Sequence, residues 1–145
     1  MNLSSTSIFR ASLHELCRRP KYQYTSCPCD ICAELLNKSV EELLTTNNAV
    51  LHDDGVKCIV KIRLPCASRN VGKSGGFRLI AVGNRQEQLL VMLDIYPKTG
   101  TRGKANITGS ELAALLKTFL KERDANELAR HDLSNELVVI PKENL

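Results

Sequence analysis

Between Lys57 and Lys104 the chain reads KCIVKIRLPCASRNVGKSGGFRLIAVGNRQEQLLVMLDIYPKTGTRGK, and this stretch narrows the possible folds more than any other. It holds three strand-like runs, near 57–64, 77–83 and 88–96, separated by Gly-rich or polar turns. In the first run Val56, Cys58, Val60, Ile62 and Leu64 alternate with Lys57, Ile59, Lys61 and Arg63. A period of two sends Lys57, Lys61 and Arg63 to one face of a half-buried strand. The other two runs, FRLIAVG and QLLVMLDIY, are apolar on both faces, as expected of strands that helices cover. Asn84-Arg85-Gln86-Glu87 is a hairpin connection of ordinary length. The three runs therefore predict an antiparallel meander. In a meander the start of one strand lies beside the end of the next, which places Arg78 beside Tyr96, near Lys73 and Lys98.

Charge is distributed unevenly over the chain. Residues 57–104 contain ten basic side chains and two acidic ones, a net +8, whereas the whole chain carries +4 and the remainder therefore −4. Cations concentrated on one element, without the acids that usually intersperse a solvated face, point to an anionic ligand. The connection Gly72-Lys73-Ser74-Gly75-Gly76 adds another cation and exposed backbone N–H groups. It lacks the spacing of a nucleotide-binding Walker loop and no helix follows it, so no nucleotide and no other cofactor is implied.

Two helical segments precede the sheet. Ile8, Leu13 and Leu16 share one face of a short helix starting near Ser7 or Ser12 and ending at Pro20, although a short first strand also fits here. Ile31, Leu35 and Leu36 have helical spacing, with Asn37 as the stop. Ser39-Val-Glu-Glu42 reads as a capping box ahead of Val40, Leu43 and Leu44. Asn47-Asn48 and Asp53-Asp54-Gly55 are turn chemistry. After the sheet, Thr108-Gly-Ser-Glu111 is a second capping box, and Leu112, Leu115, Leu116, Phe119 and Leu120 carry the helical period. LVVI at 137–140 suits a short strand or a docking segment, and the isolated His131 reads as a surface residue.

Cys27-Pro-Cys29-Asp-Ile-Cys32, with His14 and Cys17 upstream, has the residue types zinc prefers. Structural zinc sites pair two knuckles and only one irregular knuckle is present, so the expectation is plain thiols and no metal. Cys58 and Cys66 read as small core residues. No run of about 18 apolar residues and no apolar core of signal-peptide length occurs, which together with six cysteines predicts reduced thiols in a cytoplasmic protein away from membranes.

The segments VKIRL, GKSGGFRLI, LLVMLDIYPK and ANITGSELAALLKTFLK, in this order and spacing, resemble the RelE/HigB toxins of bacterial toxin–antitoxin modules, over roughly residues 40–122. The resemblance implies an α+β microbarrel, an antiparallel sheet packed against N-terminal helices and a C-terminal helix. It divides the chain into an N-terminal extension (1–38), a toxin domain (39–125) and a tail (126–145). It implies an mRNA endoribonuclease that inhibits translation, with mRNA and the ribosome as partners. A cognate antitoxin would hold the toxin inactive, and operator DNA would be met only through the antitoxin complex. Cleavage would be metal-independent and use the substrate's 2′-hydroxyl. The residues carried over are Lys61, Arg63, Lys73, Arg78, Tyr96 and Lys98. Arg63 and Arg78 would stabilise the phosphate, Lys73 or Lys61 would act as base, Tyr96 would stack on or orient a nucleobase, and Lys98 would assist the leaving group. Clustered lysines can replace histidine here, because neighbouring cations lower a lysine pKa. Lys57, Arg69, Arg102 and Lys104 would add contacts to RNA or the ribosome. Pro97 between Tyr96 and Lys98, and the long basic loop TGTRGK, depart from the family pattern. Two other classes stay open: a gyrase poison of the same fold, as ParE-like relatives are, and a non-catalytic RNA- or protein-binding module.

Overall fold

The computed structural model describes residues 1–46 and 48–142. The three runs of the meander form the middle of a seven-stranded sheet, as strands β3 (Lys57–Leu64), β4 (Phe77–Asn84) and β5 (Leu89–Pro97). In chain order β1 (Asn2–Ser5), α1 (Ser7–Cys17), α2 (Cys27–Leu35), α3 (Val40–Thr45) and β2 (Ala49–Asp53) precede them. They are followed by α4 (Gly109–Asp124), β6 (Ala129–Asp132) and β7 (Val138–Ile140). The strand order is β2-β3-β4-β5-β1-β6-β7. All pairings are antiparallel except β1 with β5, which is parallel.

This sheet corrects the expected microbarrel. It is open, with β2 and β7 as its two edges, and no described strand closes it. The reason lies in the terminal segments. β1 adds beside β5, and β6 and β7 add beyond β1, so the chain ends widen the sheet sideways instead of curling it back onto β2. Asn2–Ser5 near the start of the chain and Ala129–Asp132 and Val138–Ile140 near its end thus share one sheet with the central stretch.

Each face of the sheet has its own packing. On one, Phe9 and Leu16 of α1, Ile31 and Leu35 of α2 and Leu43 of α3 bury against Leu3, Val60, Ile62, Leu64, Phe77, Leu79, Leu90 and Met92. On the other, Leu115 and Phe119 of α4 cover Ile80, Val82, Val91, Leu93 and Tyr96. The alternation read in β3 appears directly in its burial, with Cys58, Val60, Ile62 and Leu64 inside and Lys57, Ile59, Lys61 and Arg63 on the α4 side. Between Ile80 and Ala81 the register with β5 slips by one residue, a bulge that keeps both Leu93 and Tyr96 in the α4-side core.

Local sequence explains where the helices begin and end. Both capping boxes form with both reciprocal bonds, Ser39 with Glu42 and Thr108 with Glu111. Asn37 adopts a left-handed conformation (φ 62°) just past α2. The N-terminal segment is both a strand and a helix, and the cap of α1 is Thr6, whose hydroxyl accepts from Phe9 N–H at 3.3 Å. Ser7 instead donates through its backbone N–H (2.8 Å) and its hydroxyl to the buried Glu122 of α4, which ties the helices on the two faces together. Of the expected Asn47–Asn48 turn, Asn47 lies outside the described residues. Asp53-Asp54-Gly55 is a turn in which Asp53 Oδ1 accepts from Gly55 N–H at 2.9 Å.

His131 is buried, not on the surface. Ser5 Oγ lies 2.6 Å from its Nε2 and the Leu137 carbonyl 2.7 Å from its Nδ1. The sequence hid this because β6 is the polar run ARHD, of which His131 alone is buried once the strand pairs with β1. Cys58 and Cys66 are buried as expected. No helix among the described residues is long and apolar enough to cross a membrane.

Candidate anion-binding cleft

Helix α4 shields the β4–β5 part of its face, and the β3 end of the strands beside it stays open. There Arg63 is the register partner of Arg78, and Arg78 of Tyr96. Lys61, two residues before Arg63, points to the same side, and Lys98 follows β5 directly. Lys61, Arg63, Arg78 and Lys98 line a cleft of about 360 Å³ together with Asn48, Ala49 and Ser74. Four cations and no acid therefore surround one open space. Among the described residues none of the four is ion-paired with a carboxylate.

Arg78 forms the floor of the cleft and is only 4% exposed. Its Nη1 donates to the carbonyls of Lys73 (2.7 Å) and Phe77 (3.0 Å), and its Nη2 to that of Ser74 (3.0 Å). A guanidinium has five N–H donors. Three are used by the loop, which leaves Nε–H and one Nη2–H without a partner among the described residues. Burial and the charge of Arg63 lower its affinity for its own proton, partly offset by Tyr96. A buried guanidinium with neutral partners only, and two spare donors beside an open cleft, is arranged for an oxyanion.

The loop that Arg78 clamps is folded tightly by Gly76. A Cβ there would lie 2.0 Å from the Leu64 carbonyl oxygen and 2.7 Å from the Pro65 carbonyl carbon. The glycines of GKSGG thus include one needed for close backbone approach. Lys61 is half-buried, and its amine donates to Asn106 Oδ1 at 3.2 Å. Burial lowers its pKa, and Lys98, Arg78 and Arg63 lower it further. The Lys98 amine donates to the Ala105 carbonyl. Arg63 donates its backbone N–H to Asn48 Oδ1 at 3.0 Å, which pins the strand beside the cleft.

The remaining residues singled out in the sequence lie elsewhere. Lys73 turns away from the cleft to pair with Glu34 of α2 at 2.8 Å, and Glu34 also holds Lys38 at 3.2 Å. Tyr96 is next to Arg78, as the meander requires, but is only 6% exposed, with the Lys104 amine 5.2 Å over its ring and its hydroxyl without a partner among the described residues. Lys104 pairs with Glu111 at the start of α4. Arg69 and Arg102 belong to a different surface, stacked over Tyr24 (5.8 Å) and Tyr22 (5.3 Å), with Arg69 also bonded to Thr99 Oγ1 at 2.9 Å. Lys57, at the other end of β3, borders an apolar groove with Ile59, Leu116, Phe119 and Leu120.

The cysteines of the irregular knuckle diverge along α2. Cys27 is in the core, Cys29 is exposed and Cys32 is partly covered, and burial raises the pKa of the Cys27 and Cys32 thiols. Among the described residues no three metal-ligating side chains converge. Asn48 and Ser74 were not anticipated as cleft residues, nor Asn106 as the partner of the Lys61 amine. Each is a neutral side chain in a turn or loop, and only the surrounding strands bring it to the cations.

Fold and site together describe an α+β protein with an open mixed sheet and a cationic cleft at its β3–β4 end. No family model, curated protein or solved structure matches the chain.

Proposed function

We propose that the chain is a metal-independent endoribonuclease that cuts single-stranded RNA through the substrate's own 2′-hydroxyl. It would act as the toxin of a toxin–antitoxin pair, as the resemblance to RelE/HigB toxins implies. The observation that carries the proposal is the convergence of Lys61, Arg63, Arg78 and Lys98 on one open cleft with no acidic lining residue. In this scheme Arg63 and the spare donors of Arg78 hold the non-bridging oxygens and stabilise the charge that builds on the pentavalent phosphorus. Lys61 as a neutral amine takes the 2′-hydroxyl proton while the 2′-oxygen bonds to phosphorus. The P–O5′ bond breaks, and the Lys98 ammonium protonates the departing oxygen. The products are a 2′,3′-cyclic phosphate and a 5′-hydroxyl end. The depressed basicity of Lys61 supports its choice over Lys73, which is occupied by Glu34. Tyr96 backs Arg78 from below the cleft surface in this scheme.

The test uses single-stranded RNA, free and on translating ribosomes, with chelator present. Cleavage is expected to leave a cyclic phosphate and to vanish when the scissile nucleotide carries a 2′-hydrogen. RNA or ribosome binding at full strength without cleavage would reduce the cleft to a docking surface. Expression of the chain alone is expected to arrest bacterial growth with cuts inside translated frames.

A further inference from the structure

We infer that Asn106 is a positioning residue for the Lys61 amine: its side-chain oxygen fixes where that amine sits in the cleft, and its neutrality leaves the amine free to lose a proton. Only what the amine then does rests on the nuclease proposal. The Lys61 amine donates to Asn106 Oδ1 at 3.2 Å, and the same oxygen accepts from Ile107 N–H at 2.9 Å. The acceptor is therefore held by its own backbone. The preceding residue, Ala105, receives the Lys98 amine through its carbonyl. Two consecutive residues just before α4 thus receive both cleft lysines. The segment is anchored by the Thr108–Glu111 capping box on one side and the Lys104–Glu111 ion pair on the other.

The charges that bear on Lys61 come from three elements: Arg63 on its own strand, Arg78 on β4 and Lys98 after β5. Its register partner on β2 is Ala49, which is uncharged. The carboxylate at the start of α4, Glu111, is engaged by Lys104 and by the Thr108 backbone. Among the described residues the charges that bear on the amine, those of Lys98, Arg78 and Arg63, are positive, and the side chain that accepts its hydrogen bond is an amide. A carboxylate in that position would favour the ammonium form by charge attraction, and an alanine would leave the amine unheld.

Asn106 is exposed, and aspartate retains the oxygen that accepts from Ile107, so Asn106→Asp and Asn106→Ala test the inference without disturbing the core. Two readouts are taken on the full chain. The first is the pH midpoint of Lys61 acetylation by trace acetic anhydride, followed by mass spectrometry. The second is the pH profile of RNA cleavage. Asn106→Asp is expected to raise the Lys61 midpoint by about one pH unit or more and to move the rising limb of cleavage by the same amount. Asn106→Ala is expected to leave the midpoint at or below its original position and to lower kcat roughly tenfold with KM little changed, the mark of lost positioning. An unchanged midpoint in Asn106→Asp overturns the inference. A shifted midpoint with an unmoved cleavage profile removes Lys61 as the base and leaves the hold of the amide on the amine standing. If the midpoint moves and neither protein cuts RNA, the nuclease proposal fails by itself and the hold of the amide on the amine stands.

Discussion

Replacing Arg78 by alanine is expected to damage the fold as well as empty the cleft. The side chain donates three hydrogen bonds, to the carbonyls of Lys73, Ser74 and Phe77, and so closes the loop that leads into β4. A hydrogen bond from a charged donor contributes about 1.5–3 kcal/mol net, so the gross loss is several kcal/mol. Two effects reduce it. The Lys73 and Ser74 carbonyls are in a loop where water can replace the guanidinium, and removing a buried cation relieves its desolvation and its repulsion by Arg63. The balance is a loss of about 2–4 kcal/mol, within the range for breaking a buried polar network. Urea unfolding followed by far-ultraviolet circular dichroism measures it, with Arg78→Lys as an intermediate variant that keeps the charge and loses the fork. A change within about 0.5 kcal/mol for Arg78→Ala would refute the clamp, because that is the size of effect seen where no such network exists. Inactivity of Arg78→Ala alone therefore says little about chemistry, and the cleaner probe of the cleft is its register partner.

Arg63→Ala is expected to leave the unfolding midpoint unchanged and to lower RNA cleavage by about two to three orders of magnitude, as loss of a charge-stabilising group does; full activity would remove Arg63 from the site. Pyrophosphate at about 100 times its dissociation constant is expected to stabilise the native chain by about 2.7 kcal/mol in thermal unfolding and to stabilise Arg63→Ala much less. Gly76→Ala is expected to cost about 3 kcal/mol in denaturant unfolding, since the added Cβ meets the Leu64 carbonyl at 2.0 Å and backbone has to move; an unchanged midpoint would show that the turn is not tight. His131 has its pKa lowered by burial, with Arg10 acting in the same sense and the Leu137 carbonyl against it. It is neutral in the fold and takes up a proton more readily when unfolded, so its contribution is intact above about pH 6.5 and is lost as the pH falls from there towards the folded value. His131→Gln is expected to lack that part of the acid destabilisation, and identical pH–stability curves for the two proteins would contradict it.

Much of this could be read in the sequence wherever a signal is local. The alternation in β3, the two capping boxes, the stop at Asn37 and the meander that pairs Arg78 with Tyr96 all follow from side-chain period or from hydrogen bonds spanning three or four residues. The concentration of cations on residues 57–104 was equally plain from counting. What the sequence did not determine is where long-range partners fall. β2 (AVLHD) is exposed along its whole length and β6 (ARHD) has no apolar run, and they become strands because β3 and β1 offer them free edges. The open sheet follows from β1 inserting between β5 and β6, a pairing across more than 80 residues with no local trace. The same applies to the cleft. Arg63, Arg78 and Lys98 look no different from Lys73 in the sequence, yet the first three face one cavity and the fourth is drawn off by Glu34, 39 positions away. A charge shows its sign in the sequence; whether it is free to meet a ligand depends on which opposite charge the fold brings within reach.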